Sequence, residues 1–585
     1  MFMKFFSVSN FLPYSQVVFT LIWLSLLGET DAYFSVYVIV AFISFFLQFR
    51  RLSSGPDHFR WGVVGLSTVF SFAVILANYP LFTTLGDPSL IAPSTSILMN
   101  VINGFLCLIG GICTFYPILH TFFLMFPICS CTNFVSEKNA KYLPVILFSV
   151  LMCLNLVHLI FVEYPGNMTE DTFSQISEMT SGSYSNFNTF WHTMILRFAL
   201  IFGYGIFSDS NHAVAFFCIL QMAILCAAFV HCTMTMVKFG IPKQFIVVSF
   251  LLYLLLPYHM AFSITIWKDV LFGAGCLLFL SSMLRIKNAL GNILWNYVVF
   301  VLGSLLFILS RTNGWIIYLV SFLIFFGVFR KDRLFLAVMG GLALTGWFLL
   351  NPVLSMLHVS GGDVVESFSI PIQQISRVIA DGRKLTDEET ELLSYIVDLE
   401  EVPQLYVNWL SDPMKVEVRS KDYTYFQHHL KDYGALWIRL GFRYPWEYVK
   451  AWVDQTKGYW NAGYDYALYS ETIIENPYGI EKIEGENLIA TLFRLYFGLS
   501  RHLIFFEPFH SIGLHIWLLI LCFLVNVAKK RTEWVLSVPL LILVVGLWAG
   551  TPVFCSFRYV YPLFVCFPLI LSTTLWNSKK DGIPR

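Results

Sequence analysis

The sequence predicts an all-α polytopic membrane protein, and three observations carry that prediction. Hydrophobic residues make up 57% of the chain and charged residues only 13%, with a mean hydropathy of +0.68, a balance well outside that of soluble domains. The apolar residues are gathered into about fourteen runs long enough to cross ~30 Å of hydrocarbon at ~1.5 Å per residue. Between two of these runs lies a polar stretch, YPGNMTEDTFSQISEMTSGSYSNFN from Tyr164 to Asn188. A return to the bilayer needs only a short connector, so this loop reads as a site. Lys and Arg number 37 against 37 Asp and Glu, for a formal net charge of +0, which argues against nucleic acid as a partner.

The runs fall near residues 11–28, 32–49, 60–78, 97–127, 142–162, 211–237, 244–266, 269–284, 292–309, 314–330, 334–351, 510–528, 533–550 and 558–576. The first follows a basic residue, Lys4, and lacks a small-residue cleavage site, so it is expected to stay as a span. Two more stretches are apolar but interrupted: residues 189–206 by His192 and Arg197, and residues 488–506 by Arg494, Arg501 and His502. Short loops rich in Lys and Arg stay cytoplasmic. Lys4, the Arg50/Arg51/Arg60 group, Lys138 and Lys141 then put the Glu170/Asp171 loop outside. Lys238, Lys243, Arg285, Lys287 and the FRKDR cluster (Arg330, Lys331, Arg333) agree only if 189–206 does not cross. Lys529, Lys530, Arg531, Lys579 and Lys580 likewise make 488–506 an interfacial helix. Both termini are then cytoplasmic, in a multi-pass protein of the plasma membrane.

Four divisions follow: N-terminal transmembrane helices over 1–141, a transmembrane core over 142–351 with its first external loop at 163–210, an external, mainly α-helical domain over 352–509, and C-terminal transmembrane helices over 510–585. In the external domain LTDEETELLSYIVDL reads as a helix capped by Thr386, and FSIPIQQISRVIADGRK as a short helix lying on the membrane face. Most of the 12 Cys lie in apolar runs, and neither a disulfide framework nor zinc-ligand spacing is present.

This topology gathers polar clusters on one side: Glu170 and Asp171, IWKD with Lys268 and Asp269, SRTNG with Arg311 and Asn313, and SFRYVYP with Arg558 and Tyr559. A carboxylate at the bilayer surface beside Lys and Arg suits sugar transfer from a lipid-linked phosphate. Asp171 or Glu170 could take the proton of the attacking hydroxyl, and Arg and Lys bind the departing phosphate. Glu170 and Asp171 are also oxygen ligands of the kind Mg²⁺ or Mn²⁺ takes, and the sequence leaves that choice open.

The same segments resemble the GT-C superfamily of membrane glycosyltransferases over roughly residues 142–400. More narrowly, YPGNMTEDTFSQ, YSNFNTFWHT, ITIWKDVLF, SRTNG, SIPIQQISRV and FRYVYP are similar to a largely uncharacterised family of bacterial, mostly Gram-positive, multi-spanning proteins related to it. The resemblance implies a GT-C-like bundle of about fourteen transmembrane helices with juxtamembrane helices. It also implies Asp171 as catalytic base with Glu170 as its neighbour, Lys268 and Asp269 as the second external motif, and Arg311 as the cation on the donor phosphate. The implied partners are a polyprenyl-phosphate sugar donor, a cell-envelope acceptor and the bilayer. Asn188 and Thr189 depart from the pattern, which has His and Pro ahead of the His192–Thr193 pair. His192, Gln374 and Arg377 are further candidates for sugar or phosphate contact.

Plainer readings stand beside these. Thr169 could cap a helix in which Asp171 merely favours the dipole, by ~0.3–1 kcal/mol. Lys268 and Asp269 could mark the end of a span, and Arg558, Tyr559 and the tryptophans 437, 446, 452 and 460 an interfacial belt. A transporter or flippase of lipid-linked saccharides and a non-catalytic envelope-assembly protein are the competing functions.

Overall fold

Each apolar run forms helix in the computed structural model, which describes residues 8–28, 34–48, 57–83, 97–126, 142–463, 473–503 and 506–576. Lys4, Arg50, Arg51, Lys138, Lys141, Lys579, Lys580 and both termini lie outside the described residues. The fold is all-α and polytopic. Among the described residues eight helices are long and apolar enough to cross a membrane, nine if one bent pair is a single span, and seven further apolar helices have 10–17 residues. The count falls below fourteen because runs such as 292–309 and 314–330 yield helices of only 17 and 15 residues, Ile293–Leu309 and Gly314–Val328. The bent pair, Lys243–Leu255 and Pro257–Ile264, turns by 50°. Its cause is Pro257, which disfavours helical backbone at the residue before it; Leu256 is extended, at φ −69° and ψ 122°.

Lys268–Lys287 is the central post of the main core, buried along nearly its whole length. It packs on Ile293–Leu309, Ser210–Phe239 and Phe557–Leu575. Gly275 and Gly303 set its approach to Ile293–Leu309: a Cβ on Gly275 would lie 2.6 Å from Phe307 N, and one on Gly303 2.6 Å from Leu278 Cβ. Small residues at such crossings let backbones approach, and dispersion then supplies the attraction that lipid does not. A second core joins Trp23, Tyr37, Phe70 and Phe115 of the N-terminal helices to Trp517 and Leu521 of helix Ile512–Ala528.

The outer domain has a third core, with Val365, Val378, Leu393, Met414, Phe426 and Leu436 among its members. Thr386 caps helix Asp387–Ser394 as expected, in a capping box with Glu389. Ser369–Ala380 departs from expectation. It is the middle of this domain, packed against Pro445–Thr456, Leu430–Arg443 and Asp412–Ser420, because its Ile370, Ile372 and Val378 are covered by protein. The domain is seated on the bundle through the chain that precedes Arg558. Trp452 Nε1 donates to Trp548 O (2.8 Å), Gln455 Nε2 to Thr551 O (2.8 Å) and Ser411 Oγ to Pro552 O (3.0 Å).

Helix Leu488–His502 leaves an exposed apolar stripe of Leu488, Leu492, Leu495 and Leu499, the pattern of a helix lying at an interface. Its inner side stacks Phe493 on His158 at 5.2 Å. Helix Phe190–Phe207 also exposes apolar side chains, among them Phe198, Ile201 and Phe202.

Replacing Gly303 with Leu drives a side chain into Leu278 and is expected to cost at least the ~1–3 kcal/mol of an overpacked core. Gly341→Leu, where no atom lies within 4 Å of the added Cβ, is expected to leave stability unchanged. Thermal unfolding of the detergent-solubilised variants checks both.

Candidate functional site

The polar loop after Phe161 is tied down residue by residue. Glu163–Tyr164 pairs antiparallel with Ile483–Glu484, and Asn167 forms a bridge with Thr265, after which Ile266 N donates to Asn167 O at 2.9 Å. Helix Glu170–Ser181 starts from Thr169, whose backbone N–H donates to Thr172 Oγ1 at 3.2 Å. Trp267 Nε1 donates to Thr169 Oγ1 (2.9 Å) and Thr172 Oγ1 to Ile266 O (2.9 Å). These bonds hold the first turn of one helix against the residues just before Lys268.

Thr169 is therefore a cap, and Asp171 sits in the first turn as the dipole reading requires. Its side chain has a further partner: Oδ2 accepts from Arg558 Nη1 at 2.8 Å, across 387 positions of sequence. Both side chains stay about a quarter exposed, at 27% and 26%, so the pair is partly open rather than sealed in a core. Burial alone would raise the Asp171 carboxyl; Arg558, Lys268 and Arg311 outweigh it and hold the group below the ordinary carboxylate value. Arg558 Nη2 also donates to Tyr559 Oη at 3.1 Å.

Asp269 is fully buried and forms an ion pair with Arg311 Nη1 at 2.9 Å. The contact is not aligned as a hydrogen bond, so Nη1 and both Asp269 oxygens keep unused hydrogen-bonding capacity. Arg311 and Arg558 lie 5.0 and 4.9 Å from the centre of the Tyr559 ring. The SRTNG turn places Arg311, and Gly314 permits it: a Cβ there would fall 2.3 Å from Phe307 O. Lys268 Nζ makes long contacts with Phe187 O and Asn188 Oδ1, each at 3.4 Å. Three cations thus meet two carboxylates, an excess of positive charge suited to an anion.

Other expected residues lie beside the cluster or away from it. Glu170 is exposed at the first helical position. Asn313 is the N-cap residue of Gly314–Val328, with Oδ1 buried and unpartnered. His192 is buried, its Nδ1 3.0 Å from Gln175 Nε2. Gln374 and Arg377 are spent inside the outer domain: Gln374 accepts from Trp437 Nε1 (2.7 Å) and donates to Tyr448 O (3.3 Å), while Arg377 pairs with Asp381 (3.0 Å) and Asp454 (3.2 Å). Trp437 and Trp452 make indole hydrogen bonds within the protein, and Trp460 stacks on Trp452. Among the described residues no group of three or more His, Cys, Asp or Glu could hold a metal ion. Of the Glu170–Asp171 pair, Asp171 Oδ2 is engaged by Arg558 and Glu170 is exposed.

Sequence reasoning missed Gln175, and it noted Asn188 and Thr189 only as departures from the family pattern. Gln175 lies one turn after Asp171 on the same helical face, which is the signal that could have found it. It donates to Thr193 Oγ1 (2.9 Å) and Asn188 O (3.3 Å). Thr189 has φ 68°, a costly conformation for a β-branched residue, and its Oγ1 donates to Ser310 O at 3.2 Å. It links the loop to the residue before Arg311.

A model of a family of unknown function, DUF6020, matches residues 179–583. The chain belongs to the DUF6020 family. The matched stretch of this DUF6020 protein takes in His192, Lys268, Asp269, Arg311 and Arg558, and starts after Asp171. No curated protein and no solved structure matches the chain.

Asp171→Asn and Arg558→Gln are expected to couple by about 0.5–3 kcal/mol in a double-mutant cycle of thermal stability. The folded Asp171 value is depressed, so this coupling is present above the ordinary carboxylate range and disappears as pH falls through the folded value.

Proposed function

We propose that this protein is an inverting, GT-C-type glycosyltransferase that moves a sugar from a polyprenyl phosphate to a cell-envelope glycan or polymer on the external face of the plasma membrane. The observation that carries the reading is the convergence of Asp171, Lys268, Asp269, Arg311 and Arg558 at one end of an apolar helical bundle. The opposite end of helix Lys268–Lys287 carries Arg285 and Lys287, with Lys287 paired to Asp332 at 2.6 Å. The excess of Lys and Arg in the loops there favours that end as cytoplasmic. On that bias the bundle has fourteen spans, and both termini are cytoplasmic. Phe190–Phe207 then does not cross. In support, its start is bonded to Ser310 through Thr189, while the chain just past its end, at Asn211, bonds Glu481, beside the strand that pairs with the Glu170 loop.

In that role the acceptor hydroxyl oxygen bonds to the anomeric carbon as the bond from that carbon to the phosphate oxygen breaks. The hydroxyl proton passes to Asp171, whose Oδ1 is left over from the Arg558 pair. The lipid phosphate leaves as an anion, and Lys268 and Arg311 take up its charge. Because Asp171 is held below the ordinary carboxylate value, it is ionised throughout the neutral range.

One observation favours a flippase instead: the broken helix at Leu256–Pro257, a device that transporters use near the bilayer midplane. A flippase moves lipid-linked sugar across proteoliposomes without making a glycosidic bond.

Asp171→Asn is expected to keep normal membrane abundance and to lose about 10²–10⁴-fold of sugar incorporation, read by mass spectrometry of wall polymers and lipid-linked sugars. Wild-type incorporation in that variant removes Asp171 as base and leaves the assembly-protein reading. Incorporation by the native protein is expected to stay flat, as far as Asp171 titration governs it, between about pH 6 and 8.

A further inference from the structure

An apolar groove of about 640 Å³ opens next to the charged cluster, within the ~300–1,000 Å³ range of ligand sites. Its walls are helices Phe190–Phe207 and Ile293–Leu309, and its floor comes from Ser210–Phe239 and Lys268–Lys287 through Ile224, Ala227 and Leu278. Phe198 on one wall and Leu302 on the other are more than half exposed, so the groove opens sideways toward lipid. Its head is formed by His192 and Ser310, and Ser310 immediately precedes Arg311.

His192 is the one titratable side chain in this lining. It is 1% exposed, and its Nε2 has no hydrogen-bond partner. The Gln175 amide nitrogen can only donate; its two N–H groups are shared among His192 Nδ1 at 3.0 Å, Thr193 Oγ1 and Asn188 O, and in this orientation Nδ1 is an acceptor. Neutral His192 therefore carries its proton on Nε2. A buried donor left unpaired is destabilising, and a ligand acceptor would relieve that. The same Gln175 amide bonds Asn188 O, and Asn188 Oδ1 accepts from Lys268, so the His192 tautomer and the Lys268 ammonium are held by one network.

We infer that the groove takes the isoprenoid chain of a lipid phosphate, and that His192 Nε2–H is a phosphate-binding donor at its head, with Gln175 as the residue that fixes its tautomer. The inference rests on the glycosyltransferase reading for the identity of the lipid. Charge complementarity with the Lys268, Arg311 and Arg558 cluster selects an anionic headgroup, and continuity with the groove selects a single hydrocarbon chain.

The test measures binding of farnesyl phosphate, farnesol, dodecyl phosphate, phosphatidylglycerol and inorganic phosphate to the full chain in detergent. The native protein is expected to prefer farnesyl phosphate to each of the others. Leu302→Trp, a substitution on the exposed rim, is expected to weaken farnesyl phosphate about tenfold and leave inorganic phosphate unchanged. His192→Phe keeps the ring and removes the donor; it is expected to lose about tenfold toward farnesyl phosphate and nothing toward farnesol. Native-like binding in both variants overturns the inference, as does equal binding of dodecyl phosphate or phosphatidylglycerol. If Arg311→Met alone abolishes farnesyl phosphate binding, the donor-phosphate reading stands and the groove falls. Loss in Leu302→Trp and His192→Phe with native binding in Arg311→Met supports the groove and removes Arg311 from the donor site.

Discussion

A short piece of backbone pairing governs where the site's charges sit. Asn167 and Ile266 share a hydrogen bond, and Thr169 and Thr172 are bonded to Trp267 and Ile266. Lys268 and Asp269 come next in sequence, so a loop anchored at those positions carries Asp171 to them. Backbone and indole groups that are buried must find partners, and here their mutual satisfaction fixes the register between a loop and a helix end. The ion pairs are then a second layer, laid on geometry that neutral hydrogen bonds already hold.

The charge arrangement is asymmetric in a way that matters chemically. Arg558 is taken up by Asp171 and by the Tyr559 hydroxyl, Arg311 faces Asp269 without a well-aligned bond, and the hydrogen bonds of Lys268 to a carbonyl and an amide are long. Lys268 can exchange its long contacts for an incoming anion at little cost, while Arg311 can offer its unused donors without leaving the buried Asp269. A tightly paired network would have to be broken first.

Much of this was legible in the sequence, and the limits have physical causes. Periodless apolar runs mark the helices because lipid demands apolar surface all round, and the acidic loop, IWKD, SRTNG and FRYVYP were visible as polar breaks in that surface. The convergence of Asp171 with Arg558 was not, since no local pattern encodes a contact spanning 387 positions. Ser369–Ala380 misled because an amphipathic helix covered by neighbouring helices and one lying on lipid share the same alternation; Gln374 and Arg377 went with it into the outer domain. Gln175 escaped because an amide in a polar loop looks like any other solvated residue until its partners are known, and Thr189 stood out only as a departure from the family pattern.

The segment from Thr551 to Ser556 is at once the footing of the outer domain and the approach to helix Phe557–Leu575. Its length is thereby fixed at both ends. Each residue added to the start of a helix swings the following side chains by ~100°, so a single insertion there would turn the guanidinium of Arg558 off the carboxylate and bring a neighbour round in its stead. What the strut must keep is its residue count, which is set by the rotation of the helix it feeds.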